Sequence, residues 1–357
     1  MTIREVRCHE VSVSLHTPFV TALRRTTTVD SLLVEVADVD GVVGVGEAPQ
    51  VWAVTGDSLA GARACIEGPL ASLLVGREPY DLHALSADVR AAVVGNTSAI
   101  AAVDVALHDL VARRLGVALP VLLGGSALRV PTDVTVSAGD ADELGEVARE
   151  RVRDGFATLK LKVGTDAATD VARVLAVRDA VGPEAVLRLD ANQGWSAREA
   201  VRVISELEDA GADVELVEQP VRAADLDGLA WVTDRVRTPV LADESVFSIR
   251  DLSAVIARRA ADMVNVKLAK AGGIVPARTL LELARAHEMG TMVGSMMETH
   301  VGVGAAASVV AALGTTAVSD LDAAWWAVTA PVAGGLRYEG GTVVLPDVPG
   351  LGLRVHR

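Results

Sequence analysis

Residues 158–190 read TLKLKVGTDAATDVARVLAVRDAVGPEAVLRLD, in which two short Leu/Val-rich runs, each ending in a polar residue, flank a helix-like stretch. The same unit recurs from Val134 onward at intervals of 24 to 30 residues. Repeated strand–helix units of this length are typical of a closed parallel barrel. The polar residues that end the eight predicted strands are Thr135, Lys160, Asp190, Glu218, Asp243, Lys267, Ser295 and Asp320.

The region before this repeat has a different character. Val11–Leu15 and Ser31–Val36 look like strands, and Asp40-Gly41 is a typical hairpin turn. Three helical stretches follow, the clearest after the capping signal Asn96-Thr97. The first 125 or so residues are therefore predicted to form an α+β module.

The region after the repeat shows no final helix. Residues 334–355 read GGLRYEGGTVVLPDVPGLGLRV, which indicates strands and turns that return to the N-terminal module. We therefore predict an α/β barrel, a (β/α)7β modified TIM barrel over residues 126–325. An α+β capping domain, formed by residues 1–125 and the tail 326–357, completes the predicted fold.

Composition and charge exclude some classes of function. Half of the residues are hydrophobic and only 3% are aromatic, which suits buried parallel strands covered by Ala-rich helices. The formal net charge is 33 − 47 = −14, and no basic stripe is present, so we do not expect a nucleic-acid partner.

The expected compartment is the cytoplasm. Charges near the start of the chain replace the apolar run of a signal peptide. The uncharged stretch Val301–Val318 is broken by glycines and favours a barrel helix plus a loop over a membrane span. Cys8 and Cys65 lack the CxxC spacing and are interpreted as reduced thiols.

Three acids end successive predicted strands. Asp190, Glu218 and Asp243 converge at the C-terminal rim of such a barrel, where each offers carboxylate oxygens to a hard cation. No His or Cys competes at these positions, which favours Mg²⁺ over zinc. Asn192 lies two residues after Asp190 and is a candidate donor to a ligand side chain. An Asp at the end of a strand can also be a helix cap. Three acidic residues in register on successive strands, with lysines on either side, are harder to explain as caps.

Lysines flank these acids. Lys160 and Lys162 lie on one face of the same strand because side chains alternate, and Lys267 ends the strand after that of Asp243. They could simply neutralise the acids. They could also act as base and acid on opposite faces of a bound substrate, because burial and nearby positive charge lower a lysine pKa. A divalent cation and an ammonium would together stabilise the enediolate formed when a proton is removed beside a carboxylate.

The motifs resemble those of a known family. The chain is similar to the muconate-lactonizing subgroup of the enolase superfamily, and within it to dipeptide epimerases of the L-Ala-D/L-Glu type. The similar stretches span nearly the whole chain: TPFVTALR (17–24), GEAP (46–49), TGDS (55–58), TLKLKVG (158–164), RLDANQGW (188–195), LVEQP (216–220), LADESVF (241–247), NVKLAKAGG (265–273) and MVGSMMET (292–299).

The resemblance implies roles for individual residues. One Mg²⁺ per subunit would be bound by Asp190, Glu218 and Asp243, Lys162 and Lys267 would be the acid/base catalysts, and Lys160 would assist by holding the substrate carboxylate. Asp320 and Asp322 would bind the free ammonium of a dipeptide. Further substrate contacts are expected from Arg24, which would bind an acidic side chain, and from Thr135, Ser295 and Met297. A homo-oligomer that acts on a small molecule is expected.

One stretch departs from the pattern, and rivals remain. Ala324-Trp325-Trp326 stands where a proline-led aliphatic stretch is expected, so these indoles could reshape the pocket. A cycloisomerase, an o-succinylbenzoate synthase or an N-acylamino acid racemase would share the fold, but their substrates lack the ammonium that Asp320 and Asp322 would bind. A dinucleotide-dependent oxidoreductase built on Gly302 and Gly304 conflicts with the barrel repeat. A non-catalytic metal-binding scaffold would not need lysines on both flanks.

Overall fold

The computed structural model describes residues 2–21, 25–137 and 139–356, with Asp142 described only in its backbone. Its N-terminal region begins with an antiparallel sheet of three strands in the order β1-β2-β3. These are β1 (Ile3–Val20), β2 (Arg25–Asp38) and β3 (Val43–Pro49). The helices that follow are α1 (Leu59–Cys65), a π-helical turn (Ile66–Leu70), α2 (Ala71–Leu74), α3 (Leu82–Ala92), α4 (Thr97–Leu115) and α5 (Leu119–Leu122).

The sheet packs closely on the long helix α4. A Cβ added at Gly44 would lie 2.1 Å from the Ala106 carbonyl oxygen, and one at Gly46 would lie 1.9 Å from that of Ala102. Only glycine therefore allows the backbone of β3 to approach α4 this closely.

The second region is a parallel barrel. After the short strand β4 (Arg129–Pro131), seven parallel strands pair in sequential order. They are β5 (Val134–Val136), β6 (Thr158–Lys162), β7 (Val186–Asp190), β8 (Val214–Glu218), β9 (Val240–Ala242), β10 (Met263–Lys267) and β11 (Gly290–Gly294). The helices between and after them are α6 (Ala141–Arg153), α7 (Ala167–Val181), α8 (Ala197–Asp209), α9 (Leu226–Thr233), α10 (Ile249–Arg258), α11 (Leu268–Ala271), α12 (Ile274–Ala286) and α13 (His300–Leu313).

A short segment closes the barrel. Ser319 forms a parallel bridge with Thr132 beside β5, and Asp320 forms one with Gly294 at the end of β11. Seven strand–helix units followed by this closing segment are the predicted (β/α)7β architecture, which is confirmed. The eighth strand is reduced to these two bridging residues.

Local sequence signals begin several of the barrel helices. Ser196 and Glu199 form a capping box at α8, and Asp166, Asp225 and Ser248 cap α7, α9 and α10 with their side chains. Such caps satisfy backbone N–H groups that a helix start leaves without a partner. The helices thereby begin a few residues after the strands whose polar ends form the rim.

The C-terminal tail follows a 3₁₀ turn (Ala323–Trp326) and contacts both regions. It contains β12 (Val332–Gly334), β13 (Arg337–Tyr338), β14 (Thr342–Val344) and β15 (Leu353–Val355). β14 pairs with β4 at the start of the barrel region. The Leu351 N–H donates to Asp109 Oδ1 on α4 at 2.6 Å. Among the described residues, no helix combines the length and apolar character that crossing a membrane requires.

Candidate active site

A cavity lies at the C-terminal rim of the barrel, under the end of β1 and the loop after β3. Most of its polar lining comes from strand ends, as the predicted barrel geometry requires. The side chains that line it are Phe19, Thr21, Val54, Thr135, Lys160, Lys162, Asn192, Asp243, Glu244, Lys267, Ser295, Met296, Met297, Asp320, Asp322 and Ala323.

The three predicted metal-binding acids lie side by side at this rim. Asp190 pairs in register with Glu218 on the neighbouring strand, and Asp243 directly follows β9. All three are at most 1% exposed. Burying several carboxylates together is costly unless cations compensate them, so their neighbours decide what the site can do.

Lysines lie on both sides of this row of acids. Lys162 Nζ on β6 donates to Asp190 Oδ2 at 2.5 Å, and Lys267 Nζ on β10 donates to Asp243 Oδ2 at 2.8 Å. The strands of the acids lie between β6 and β10 in the sheet. The two lysines therefore approach the cavity from opposite sides, as the sequence predicts.

Lys160 connects the two halves of the rim. Its Nζ contacts Asp320 on the closing segment and lies 3.4 Å from Glu218 Oε2 and 3.6 Å from Asp190 Oδ2. Burial alone lowers its pKa, but Asp320, Glu218 and Asp190 raise it well above the ordinary lysine value. Lys160 is thus held as a cation that can face a substrate carboxylate.

The chain contains four lysines, and all of them belong to this rim. The fourth, Lys270, is 1% exposed, and its Nζ donates to Asp243 Oδ1 at 2.5 Å and to the Asn265 carbonyl oxygen at 3.2 Å. Burial lowers the pKa of Lys270, a shift that Asp243 opposes and Lys267 reinforces. For Lys267, burial is outweighed by Asp243 and Glu218, so its pKa is raised and not lowered as expected from the sequence.

The acids also differ from one another. Burial raises the pKa of Glu218 to about 7, because Lys160 only partly offsets it and Asp190 and Asp243 add to it. For Asp190, the effect of burial is overcome by Lys162 and Lys160, and its pKa is lowered. At Asp243, Lys267 and Lys270 likewise overcome the effect of burial, and the pKa is lowered.

Charge and donor chemistry at the rim fit a divalent cation. Four lysines face six carboxylates, so the fully ionised cluster has a charge of 4 − 6 = −2. The six are Asp190, Glu218, Asp243, Glu244, Asp320 and Asp322. Glu244 Oε2 is buried and has no hydrogen-bond partner within the part of the chain that the structure describes, and burial, Asp243 and Asp190 raise the pKa of Glu244 to about 8. Oxygen donors with surplus negative charge suit Mg²⁺.

The carboxylate oxygens are engaged by protein donors in this arrangement. Lysines hold Asp190 and Asp243, and Asn265 Nδ2 donates to Glu218 Oε1 at 2.7 Å. Within the described ranges, no three His, Cys, Asp or Glu side chains are arranged to hold a metal ion. The residues therefore fit a cation in charge and chemistry, and its binding would replace lysine contacts.

Asn192 lies at the rim beside Asp190 and donates to it through its backbone, not through its side chain. Its backbone N–H donates to Asp190 Oδ1 at 2.9 Å, whereas its side-chain Nδ2 donates to Glu244 Oε1 at 3.3 Å. Glu244, Asn265 and Lys270 were not singled out from the sequence. The sequence could have indicated them, because each lies within three residues of a predicted site residue in LADES or NVKLAK.

The closing segment forms the opposite wall. Asp322 Oδ2 accepts hydrogen bonds from the Thr135 backbone N–H at 2.7 Å and from the Trp326 indole at 2.9 Å. Burial and Asp320 raise the pKa of Asp322. At Asp320, Lys160 overcomes the effect of burial, so the pKa of Asp320 is lowered. The pKa values of these two carboxyl groups, which are two residues apart in the sequence, are thus shifted in opposite directions.

The remaining predicted contacts divide into three groups. Ser295 and Met297 line the cavity with Thr135, together with Met296, Phe19 and Val54 from outside the predicted set. Arg24 lies outside the described residues. Neither Trp325 nor Trp326 is among the described residues that line the cavity, so these indoles could reshape it only through the residues they contact.

Comparison with known proteins agrees with this geometry. Residues 3–124 match the mandelate racemase / muconate lactonizing enzyme N-terminal domain, and residues 143–357 match the enolase C-terminal domain-like family. The chain belongs to the enolase superfamily. The superfamily predicted from the sequence motifs is therefore confirmed.

Individual members are similar over the whole chain. The L-Ala-D/L-Glu epimerase of Bacillus subtilis is 43% identical over 354 residues, which cover 99% of this chain and 97% of that protein. A substrate-liganded structure of that epimerase has a TM-score of 0.96, with 99% of both chains covered. A dipeptide epimerase from Enterococcus faecalis V583, complexed with Mg and the dipeptide L-Leu-L-Tyr, is 37% identical, with a TM-score of 0.96 and 100% of both chains covered.

Proposed function

We propose that this enolase-superfamily enzyme is a Mg²⁺-dependent dipeptide epimerase that inverts the α-carbon beside the dipeptide carboxylate. The observation that carries the proposal is the placement of Lys162 and Lys267 on β6 and β10, on opposite sides of the three rim acids. Two proton carriers on opposite faces are what inversion at one carbon requires. The epimerases that the chain resembles support the same reaction class.

Asp190, Glu218 and Asp243 are the residues that would hold the metal. Mg²⁺ held there would supply positive charge next to the substrate carboxylate, and this charge would counteract the carboxylates that raise the pKa of Lys267. Lys160, already held as a cation, would contact the same carboxylate.

One lysine would remove the α-proton and the other would deliver a proton to the opposite face of the planar enediolate carbon. Lys162 or Lys267 acts as the base according to which enantiomer is bound, and the partner acts as the acid. The burial of both ammonium groups, each under 8% exposed, keeps water away from the carbanionic face.

Recognition of the dipeptide falls to the opposite wall. Asp320 and Asp322 would bind the free α-ammonium, because two carboxylates there attract a cation. Thr135, Ser295 and Met297 would contact the substrate. Arg24 would bind an acidic side chain, as in an L-Ala-D/L-Glu substrate.

A dipeptide library tests this function. In deuterated water, an active epimerase introduces deuterium at the carbon beside the carboxylate, and mass spectrometry identifies the dipeptides that exchange. We expect free dipeptides to exchange and N-acetylated ones to exchange far more slowly. Faster turnover of N-acylated amino acids, or of muconate to a lactone, would contradict the proposal.

Arg24→Ala provides a test of the preferred side chain. If Arg24 binds an acidic group, the variant loses activity selectively towards dipeptides ending in Glu or Asp. Equal losses with apolar dipeptides would instead assign specificity to the apolar lining side chains Phe19, Val54 and Met297.

We further propose one Mg²⁺ per subunit, a homo-oligomeric assembly and a cytoplasmic location. The single row of three acids supports one metal, and the unpaired thiols of Cys8 and Cys65 suit a reducing compartment. We also propose the division into barrel (126–325) and capping domain (1–125 with 326–357). Metal analysis of dialysed protein and sedimentation velocity check the stoichiometry and assembly.

A further inference from the structure

Trp326 lies directly behind the ammonium-binding wall. It ends the 3₁₀ turn that begins after Asp322, and its side chain is 2% exposed. The indole Nε1–H donates to Asp322 Oδ2 at 2.9 Å. The ring itself does not line the cavity, but the carboxylate to which it donates does.

Both recorded donors to Asp322 end on the same oxygen. The Thr135 N–H and the Trp326 indole converge on Oδ2, and among the described residues no donor bonds to Oδ1. Asp322 lines the cavity, so the oxygen left over is available to a ligand. Two donors on one oxygen fix the rotation of a carboxylate group.

The backbone beneath Asp322 is fixed as well. The Tyr338 hydroxyl donates to the Leu321 carbonyl oxygen at 2.6 Å, and the Leu321 N–H donates to Thr132 Oγ1 at 2.9 Å. With the backbone held, the remaining freedom of Asp322 is the rotation of its side chain. The indole restricts this freedom.

Aromatic contacts connect Trp326 to the first strand. Its ring stacks on His16 with centroids 5.1 Å apart and meets Phe19 edge-on at 5.9 Å. Phe19 lines the cavity, and its ring centroid lies 5.7 Å from Lys162 Nζ. Trp326 therefore packs between Asp322 and a strand end that also faces the substrate cavity.

We propose that Trp326 is a positioning residue that orients Asp322 towards the α-ammonium of the dipeptide. This inference rests on the proposed function, in which Asp322 binds that ammonium. It also assigns different roles to the two residues of the unexpected Trp325-Trp326 pair. Trp326 acts through its N–H group, and Trp325 packs against Phe156 and Arg151.

The test removes the indole N–H while keeping an aromatic ring. In Trp326→Phe we expect KM for a free dipeptide to rise about 3- to 10-fold with little change in kcat, as the loss of one hydrogen bond implies. Trp325→Phe is the matched control and leaves KM unchanged. In an Asp322→Ala background, which leaves no side-chain acceptor for the indole, Trp326→Phe has no further effect on KM. Circular dichroism and thermal unfolding check that each variant folds.

A pair of ligands separates positioning from packing. Binding of a free dipeptide and of its N-acetylated form is measured by calorimetry at saturating Mg²⁺. We expect Trp326→Phe to weaken only the free dipeptide. Equal weakening of both, or an undiminished effect in the Asp322→Ala background, overturns the inference and assigns Trp326 to packing alone.

An isosteric residue covers the case in which Trp326→Phe does not fold. Benzothienylalanine at position 326 retains the bicyclic shape and replaces the N–H with sulfur, and the same rise in KM is expected. A wild-type enzyme that binds both ligands equally contradicts the proposed function itself. A wild type that prefers the free dipeptide, with no change in either variant, contradicts only the role of Trp326.

Discussion

Two walls of the cavity hold their carboxylates in different ways. On the β6–β10 wall, lysine ammonium groups contact Asp190 and Asp243 at 2.5 to 2.8 Å. On the wall formed by the closing segment and the start of α13, Asp320 also contacts a lysine, Lys160, but neutral donors hold Asp322, Glu298 and Glu47. These donors are backbone N–H groups, the Trp326 indole and the Thr299 hydroxyl.

The difference appears in the pKa values. The pKa values of the lysine-held Asp190, Asp243 and Asp320 are lowered despite burial. Burial raises those of Asp322, Glu298 and Glu47, and also that of Glu218 on the first wall, to which the neutral Asn265 amide donates. Cations hold charge in place at neutral pH, but neutral donors leave a buried carboxyl that binds a proton readily. The first wall is suited to proton transfer and metal binding, and the second to recognition and to holding the two regions together.

The largest expected effect comes from removing one of the two lysines that we propose as acid and base. Lys162→Ala or Lys267→Ala should reduce epimerisation by roughly 10² to 10⁴-fold, the usual contribution of a general acid or base. Each variant should still exchange the α-proton of one enantiomer through the lysine that remains. Proton exchange in deuterated water, followed by NMR for each enantiomer, measures both rates. Exchange of both enantiomers by Lys267→Ala at the wild-type rate would remove that lysine from the mechanism.

The next effect concerns the metal. Glu218→Gln replaces an anionic oxygen donor by an amide, and we expect Mg²⁺ affinity to fall by about ten- to a hundredfold or more, since even residues behind the ligands cost that much. Calorimetric titration of the chelator-treated protein measures the affinity. The exposed Glu282→Gln is the control and should bind Mg²⁺ as wild type does. An unchanged affinity in Glu218→Gln would place the metal elsewhere.

Mg²⁺ binding can also be followed through the NMR signals of the lysine side chains. Because the chain has four lysines, protein labelled with ¹³C at Lys Cε gives four assignable side-chain signals. We expect the raised pKa of Lys267 to decrease when Mg²⁺ is added, because the cation offsets Asp243 and Glu218. A Lys267 pKa that Mg²⁺ leaves unchanged would contradict a metal site on these acids.

A smaller effect is expected on the second wall. Asp322→Asn should raise KM for a free dipeptide by about one to two powers of ten, because a charge-assisted contact contributes roughly 1.5–3 kcal/mol. Steady-state kinetics with free and N-acetylated dipeptides measure the change. The acetylated dipeptide should be far less sensitive to the substitution, and equal sensitivity would mean that Asp322 does not bind the ammonium.

The two walls also differ in how far the sequence could predict them. The lysines and acids of β6–β10 are strand ends in a repeating unit, so their convergence follows from the barrel itself. The shortened eighth strand was predicted in position, because Asp320 continues the interval, although only Ser319 and Asp320 form its bridges.

The contacts of the second wall depend on tertiary packing. Asp322 is held by Thr135, which is 187 residues away, and Glu47 bonds to Thr299 across 252 residues. No periodic pattern connects such positions. The sequence drew attention to Trp325 and Trp326 as unusual, but the burial of Trp326 behind Asp322 follows from the packing of β1 against the closing segment. The lysine pKa directions likewise required the positions of the neighbouring carboxylates.

Replacing Glu298 is expected to have the smallest effect on catalysis. Its expected effect is on the pH dependence of stability. Glu298 is 3% exposed and accepts a hydrogen bond from the Met296 N–H at 2.8 Å. Burial and the nearby Glu47 raise its pKa from 4.5 to about 8. The folded protein therefore keeps this proton up to about pH 8, whereas the unfolded chain releases it above about pH 4.5.

Between these pH values the folded state binds more protons than the unfolded state, so the carboxyl lowers the free energy of unfolding as pH rises. Glu298→Gln removes the titration and keeps the hydrogen-bond acceptor. We expect the variant to gain stability relative to wild type by on the order of 1 kcal/mol for each pH unit between about 5 and 8. Urea unfolding across this pH range measures the difference, with exposed Glu282→Gln as the control that leaves it flat. A difference that stays constant with pH, or that shrinks as pH rises, would contradict a raised pKa of Glu298 in the folded protein.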